Sequence, residues 1–137
     1  MDSIISNGPE TTLAVASSVA GTLAPGDIVA IYGPMGAGKT HFVKGLARAL
    51  GYDGEVTSPT FTLVHEYMAS GRTIYHLDLY RLETPMECLR LGVEDIWDGD
   101  GITAIEWPEK LGSLLPTRAK KVIIDICGEN QRAIFIS

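Results

Sequence analysis

Apolar positions along the chain change period several times, and each change marks an element. Asn7-Gly8-Pro9-Glu10 reads as a helix start with proline in the first turn. Leu13, Ala16, Val19 and Ala20 follow at helical spacing until Gly21. After the turn Pro25-Gly26-Asp27, the unbroken apolar run 28–32 suits a central strand covered on both faces. A second helix is expected from about Lys39, with Phe42, Val43, Leu46, Ala47 and Leu50 on one side and Gly51 as its stop. Phe61, Leu63, His65 and Tyr67 then alternate with Thr62, Val64 and Glu66, which predicts a strand along that whole stretch. Ala69-Ser70-Gly71-Arg72 turns it into a partner strand over 73–79, forming a hairpin. Segments 85–91 and 93–97 look helical, and 102–105 is a short apolar strand ending at Glu106. Segments 121–126 and 133–136 pair around the turn Gly128-Glu129-Asn130. Strands, helices and hairpins in this order predict an α/β sandwich on a mixed sheet, parallel at its centre and antiparallel at its sides.

Composition narrows the class. The chain has 137 residues, 45% of them hydrophobic and 20% charged, so one domain over 1–137 with a packed core is expected. No apolar run reaches the roughly 18 residues of a membrane span. The start Met1-Asp2-Ser3 lacks the basic-then-apolar layout of a signal peptide, and a cytoplasmic protein is expected. Eleven basic against seventeen acidic residues give a net charge of -6. Binding nucleic acid through charge leaves a basic footprint, which argues against direct duplex binding here. Cys88 and Cys127 form neither a CxxC pair nor a disulfide framework and read as buried free thiols.

One motif carries chemistry. Gly33-Pro34-Met35-Gly36-Ala37-Gly38-Lys39-Thr40 fits G-x-x-x-x-G-K-[ST] in full, with a buried strand before it and an amphipathic helix after it. Glycines let backbone N–H groups converge on an anion, and the helix start aims its unpaired amides at a phosphate. Lys39 reaches the β- and γ-phosphates, and the Thr40 hydroxyl is placed to ligate Mg2+. An Asn-Lys-x-Asp segment for reading guanine is absent, so ATP is the better expectation for the nucleotide.

Phosphoryl transfer also needs acids, and two strands end in one. Glu106 closes the strand 102–105, and Asp78 follows Tyr75-His76-Leu77, where alternation puts His76 and Asp78 on one face. Either could equally be an exposed strand-end carboxylate when considered alone. Thr57-Ser58-Pro59-Thr60 is a hydroxyl-rich loop that fits a segment sensing the γ-phosphate as well as it fits an ordinary turn. Trp107 suits the core, yet it directly follows the strand-end acid Glu106, which fits a site residue as well. His41, His65 and His76 lack zinc spacing, and Glu94, Asp95, Asp98 and Asp100 lack the oxygen pattern of a calcium loop.

Four motifs taken in order, Gly33 to Thr40, Ser58-Pro-Thr-Phe-Thr-Leu-Val64, His76-Leu-Asp-Leu-Tyr-Arg-Leu82 and Ile105-Glu-Trp-Pro-Glu109, resemble the bacterial TsaE family, formerly YjeE. The likeness covers nearly the whole chain. It implies a P-loop ATPase of tRNA threonylcarbamoyladenosine biosynthesis that binds ATP or ADP with Mg2+ and hydrolyses slowly alone. It also implies the partners TsaB and TsaD, of which TsaD modifies adenosine 37, with tRNA reached only through that complex. By the same likeness Thr40 and Glu106 hold magnesium, Asp78 is required for hydrolysis, and Trp107 follows the metal acid. Gly33, Met35, Gly36, Ala37, Gly38, Lys39 and Thr40 hold the phosphates. Ser58, Thr60 and Thr62 lie in a switch-like segment, and Gly8 and Gly128 flank the base. A longer tail beyond Ser137, seen in relatives, is not expected. Two other readings of the same motif are a small-molecule kinase and a nucleotide-gated binding module with negligible hydrolysis.

Overall fold

The computed structural model describes residues 3–137, so Met1 and Asp2, on which the leader expectation rested, lie outside the described residues. The elements are β1 (Ser3–Ser6), α1 (Pro9–Ala20), β2 (Ile28–Tyr32), α2 (Lys39–Ala49), β3 (Val64–Ala69), β4 (Arg72–Asp78), α3 (Pro85–Leu91), α4 (Val93–Trp97), β5 (Ile102–Glu106), β6 (Lys120–Ile126) and β7 (Arg132–Ile136). A short 3-10 helix, Pro108–Leu114, follows β5. One seven-stranded sheet runs in the order β1-β7-β6-β2-β5-β4-β3. Its centre, β6-β2-β5-β4, is parallel, while β3 against β4 and β1-β7-β6 are antiparallel. The mixed sheet expected from the pattern is therefore present.

Period-2 alternation divides the core in two. Val29, Ile31, Ile74, Ala104, Val122 and Ile134 meet α1 and α2 on one face. Ile28, Leu77 and Ile105 meet Cys88, Val93, Trp97 and Leu111 on the other. A sheet covered on both sides explains why β2 is a continuous apolar run and why β2 and β5 are buried almost throughout. Gly45 brings α1 and α2 together, because a Cβ there would stand 2.6 Å from the Ala16 Cβ. Among the described residues no helix is long and apolar enough to cross a membrane.

Two expectations need correction, and two elements were not foreseen. Pairing of β3 begins only at Val64, opposite Leu77, and Phe61 to Leu63 form a turn. Leu63 lies in the left-handed region at φ 70°, its N–H donates to Pro59 O at 2.6 Å, and Asp78 N–H donates to Leu63 O. Leu63 O thus still bonds across to β4, but its N–H is spent on the turn and the ladder ends there, leaving Phe61 83% exposed. Cys88 is buried as expected, but Cys127 is exposed where the chain leaves β6. Strand β1 and the 3-10 helix were not foreseen, since four residues with exposed isoleucines and a proline-started 3-10 segment kinked at Gly112 carry little periodic signal.

Candidate functional site

Strand β2 delivers the chain to Gly33, and the loop to Gly38 leads into α2. Gly38 caps α2 at φ 102°, a left-handed conformation that costs other residues roughly 1–2 kcal/mol. No atom lies within 4 Å of where its Cβ would be, so this glycine meets the cleft, not the core. Phe42 N–H is the first amide of α2 to bond back, to Gly38 O, which leaves the earlier amides unpaired within the helix and facing an N-terminal anion site.

Lys39 is 5% exposed, and its Nζ donates to Gly33 O at 2.6 Å. The same ammonium stands 3.4 Å from the Trp107 ring centroid. Burial pushes the Lys39 pKa below its ordinary value, opposed by the nearby carboxylates of Glu106, Glu109 and Asp78. Trp107 has a left-handed backbone, φ 59°, which turns its ring over Lys39 and against Tyr80 at 4.9 Å. The tryptophan thus lines the cleft, where sequence left it between core and site.

Asp78 and Glu106 are opposite each other in the parallel pair β4–β5, at the carboxyl ends where open α/β sheets bind ligands. Both are 3% exposed. Glu106 Oε2 accepts from Thr40 Oγ1 at 2.8 Å and stands 2.6 Å from His76 Nε2. Asp78 Oδ2 accepts from Thr60 Oγ1 at 2.9 Å and Ser58 Oγ at 3.4 Å, and Oδ1 accepts from Tyr80 N–H at 2.9 Å. One acid therefore meets the phosphate loop and the other meets the hydroxyl-rich segment. The Thr40 hydroxyl and Glu106 carboxylate are hard oxygen donors of the kind magnesium takes. Among the described residues no cluster of three His, Cys, Asp or Glu could cage a metal, so nucleotide oxygens would have to complete such a shell.

Met35, Gly36, Gly38, Lys39, Thr40, Ser58, Thr60, Asp78, Glu106 and Trp107 line one cleft together. Thr62 is exposed outside it. An adjoining cleft shares Gly38 and His41 with the first and is lined by Asn7, Gly8, Pro9, Thr12, Ala37, Asn130 and Arg132. Gly8 lines this second cleft, and Ser6 Oγ steadies it by donating to Gly8 O at 2.8 Å. Gly128 does not line that cleft; Asn130 of the same turn does.

Two groups of side chains escaped the sequence reading. Arg132 donates to Ala37 O at 3.2 Å and Gly36 O at 3.3 Å, bracing the phosphate loop from β7. Tyr67 O–H donates to Thr57 O at 3.3 Å and stands 3.0 Å from His76 Nδ1. Burial pushes the Tyr67 phenol up to about 12, so it keeps its proton near neutrality. The usable signal for His76 was a polar residue inside an apolar alternation, which must find a buried partner.

A family model described as threonylcarbamoyl adenosine biosynthesis protein TsaE matches residues 6–134. A tRNA threonylcarbamoyladenosine biosynthesis protein TsaE from Bacillus subtilis is 38% identical over 92% of this chain and 78% of its own length. Its Treponema pallidum counterpart is 37% identical over 97% of this chain and 98% of its own. A Synechocystis TsaE is 52% identical over 65% of this chain, a match that spans 59% of that relative. The crystal structure of Bacillus subtilis YdiB superposes with a TM-score of 0.81 at 32% identity, covering 98% of this chain and 83% of that one. With its phosphate loop, paired strand-end acids and hydroxyl-rich segment in one cleft, the chain belongs to the TsaE family.

Proposed function

We propose that this chain, folded as one domain over 1–137, is a cytoplasmic, magnesium-dependent ATPase of tRNA threonylcarbamoyladenosine biosynthesis. It turns over slowly alone and works with TsaB and TsaD, meeting tRNA only through them. The observation that carries the reading is the 2.8 Å contact between Thr40 Oγ1 and Glu106 Oε2, which joins the start of α2 to the end of β5 beside Lys39.

In this reading the unpaired amides of α2 and the Lys39 ammonium hold the β- and γ-phosphates. Thr40 and Glu106 would hold magnesium, which would neutralise charge developing on the phosphate oxygens. Asp78 orients the attacking water: the bond to water oxygen forms, the bond from the γ-phosphorus to the bridging oxygen breaks with its electron pair left on ADP, one water proton passes to solvent, and ADP and phosphate leave. Ser58 and Thr60, already bonded to Asp78, bring the switch-like segment to the same place. Gly8, Asn130 and Arg132 border the cleft that suits the base.

Phosphate release from Mg–ATP with water as sole acceptor tests the proposal, alone and with TsaB–TsaD added. Slow release that rises with the partner pair supports it. Absence of magnesium-dependent ATP binding overturns it, and release that requires an added small-molecule acceptor moves the chain to the kinase class.

A further inference from the structure

Between Glu106 and the segment 57–60 runs a line of side chains that phosphate binding does not require. It starts at Glu106 Oε2, crosses to His76 Nε2 at 2.6 Å, leaves from Nδ1 to the Tyr67 phenol at 3.0 Å, and ends on Thr57 O at 3.3 Å. His76 is fully buried and Tyr67 is 5% exposed. Burying an imidazole and a phenol in a sheet costs free energy unless their polar atoms are bonded, and here each polar atom has a partner. The line crosses three adjacent strands, β5, β4 and β3, running diagonally from Glu106 at the site end back to Tyr67, which is paired with Ile74. Asp78 reaches the same segment from its other side through Thr60 and Ser58. Both acids are therefore tied to residues 57–60 by separate hydrogen-bonded routes.

We propose that His76 and Tyr67 are positioning residues that orient the Glu106 carboxylate and fasten the segment 57–60 to it. The proposal rests on the reading of Glu106 as the acid that holds magnesium. Imidazoles and phenols bonded behind a metal-binding carboxylate fix its orientation, and losing such a partner typically weakens metal affinity 10- to 100-fold. Tyr67 is one step further back and loses only a hydroxyl in Tyr67→Phe, while its ring keeps its packing on Tyr52 at 4.8 Å.

Three variants separate positioning from bulk stability. Tyr67→Phe removes the link to Thr57. His76→Gln keeps a nitrogen near the Nε2 position for Glu106, and His76→Asn keeps one near Nδ1 for Tyr67. ADP affinity is measured by calorimetry at saturating magnesium and in chelator, and hydrogen exchange of residues 57–63 is followed with no nucleotide or metal added. The proposal expects His76→Asn to weaken magnesium-supported ADP binding about 10-fold or more with chelator affinity unchanged. His76→Gln should lose less than His76→Asn, and Tyr67→Phe should speed exchange in 57–63 several-fold. Equal losses with and without magnesium, or wild-type exchange in Tyr67→Phe, overturn it. If wild-type protein shows no magnesium dependence, the functional reading has failed instead; magnesium dependence that all three variants retain in full defeats the positioning role alone.

Discussion

Glu106→Gln removes a charge and almost no volume. One oxygen, Oε2, faces both Thr40 and His76, so the amide oxygen of glutamine can occupy the same place. The side chain is 3% exposed, and replacing it by a smaller residue would leave the 2.8 Å and 2.6 Å contacts without a partner, a loss of several kcal/mol that would obscure the result. With glutamine, what disappears is the anionic attraction for a divalent ion. A contact to a charged group is worth about 1.5–3 kcal/mol, or roughly 10- to 100-fold in affinity. Calorimetric titration with ADP should therefore show that loss at saturating magnesium and near wild-type affinity in chelator. Asp78→Asn should behave oppositely, keeping Mg–ADP affinity within about twofold while hydrolysis falls, because an interaction made only in the transition state does not contribute to ground-state binding. If Asp78→Asn loses the magnesium-linked affinity and Glu106→Gln keeps it, the roles assigned from Thr40 and Thr60 are reversed.

Lys39→Ala should weaken ATP binding about 10- to 100-fold and stop turnover, measured by calorimetry and phosphate release, since the phosphates lose a charged partner. Tyr67 gives a pH test: its phenol ionises at about 12 in the fold against 10 when unfolded. Its stabilising effect is fully present below pH 10 and is lost as pH rises through about 12, so the urea-midpoint difference between wild type and Tyr67→Phe should shrink across that window. Phe42→Ala should destabilise the fold by about 3–5 kcal/mol in urea unfolding, because the ring is 0% exposed between α2 and the sheet.

Local signals were legible in the sequence, and tertiary ones were not. Helix α2, strand β2 and the loop between them are written in contiguous residues, because a 3.6-residue stripe, an apolar run and spaced glycines need no knowledge of distant partners. Asp78 and Glu106 were readable for a related reason, since an acid ending an apolar strand stands out against its own neighbours. Residues 61–63 misled because alternation was read without the bond from Leu63 N–H to Pro59 O that closes the turn. Arg132 and Tyr67 were invisible as site residues, since their partners at Gly36 and Thr57 are set by register and crossover and not by spacing.

The same contacts constrain how tightly the site can bind. Each charged group that would face a nucleotide already has protein partners: Lys39 has Gly33 O and the Trp107 ring, Glu106 has Thr40 and His76, and Asp78 has Thr60, Ser58 and Tyr80 N–H. Ligand contacts made by Lys39 and Thr40 replace bonds of similar kind, so the gain is a difference and not the gross strength of the new contact. Much of the specificity must then come from geometry that nothing in the chain replaces, namely the α2 amides left over by Gly38 and the cleft between Gly8 and Arg132. In the proposed reading, a partner protein that drew Ser58 and Thr60 off Asp78 would free a carboxylate for water without touching the phosphate loop.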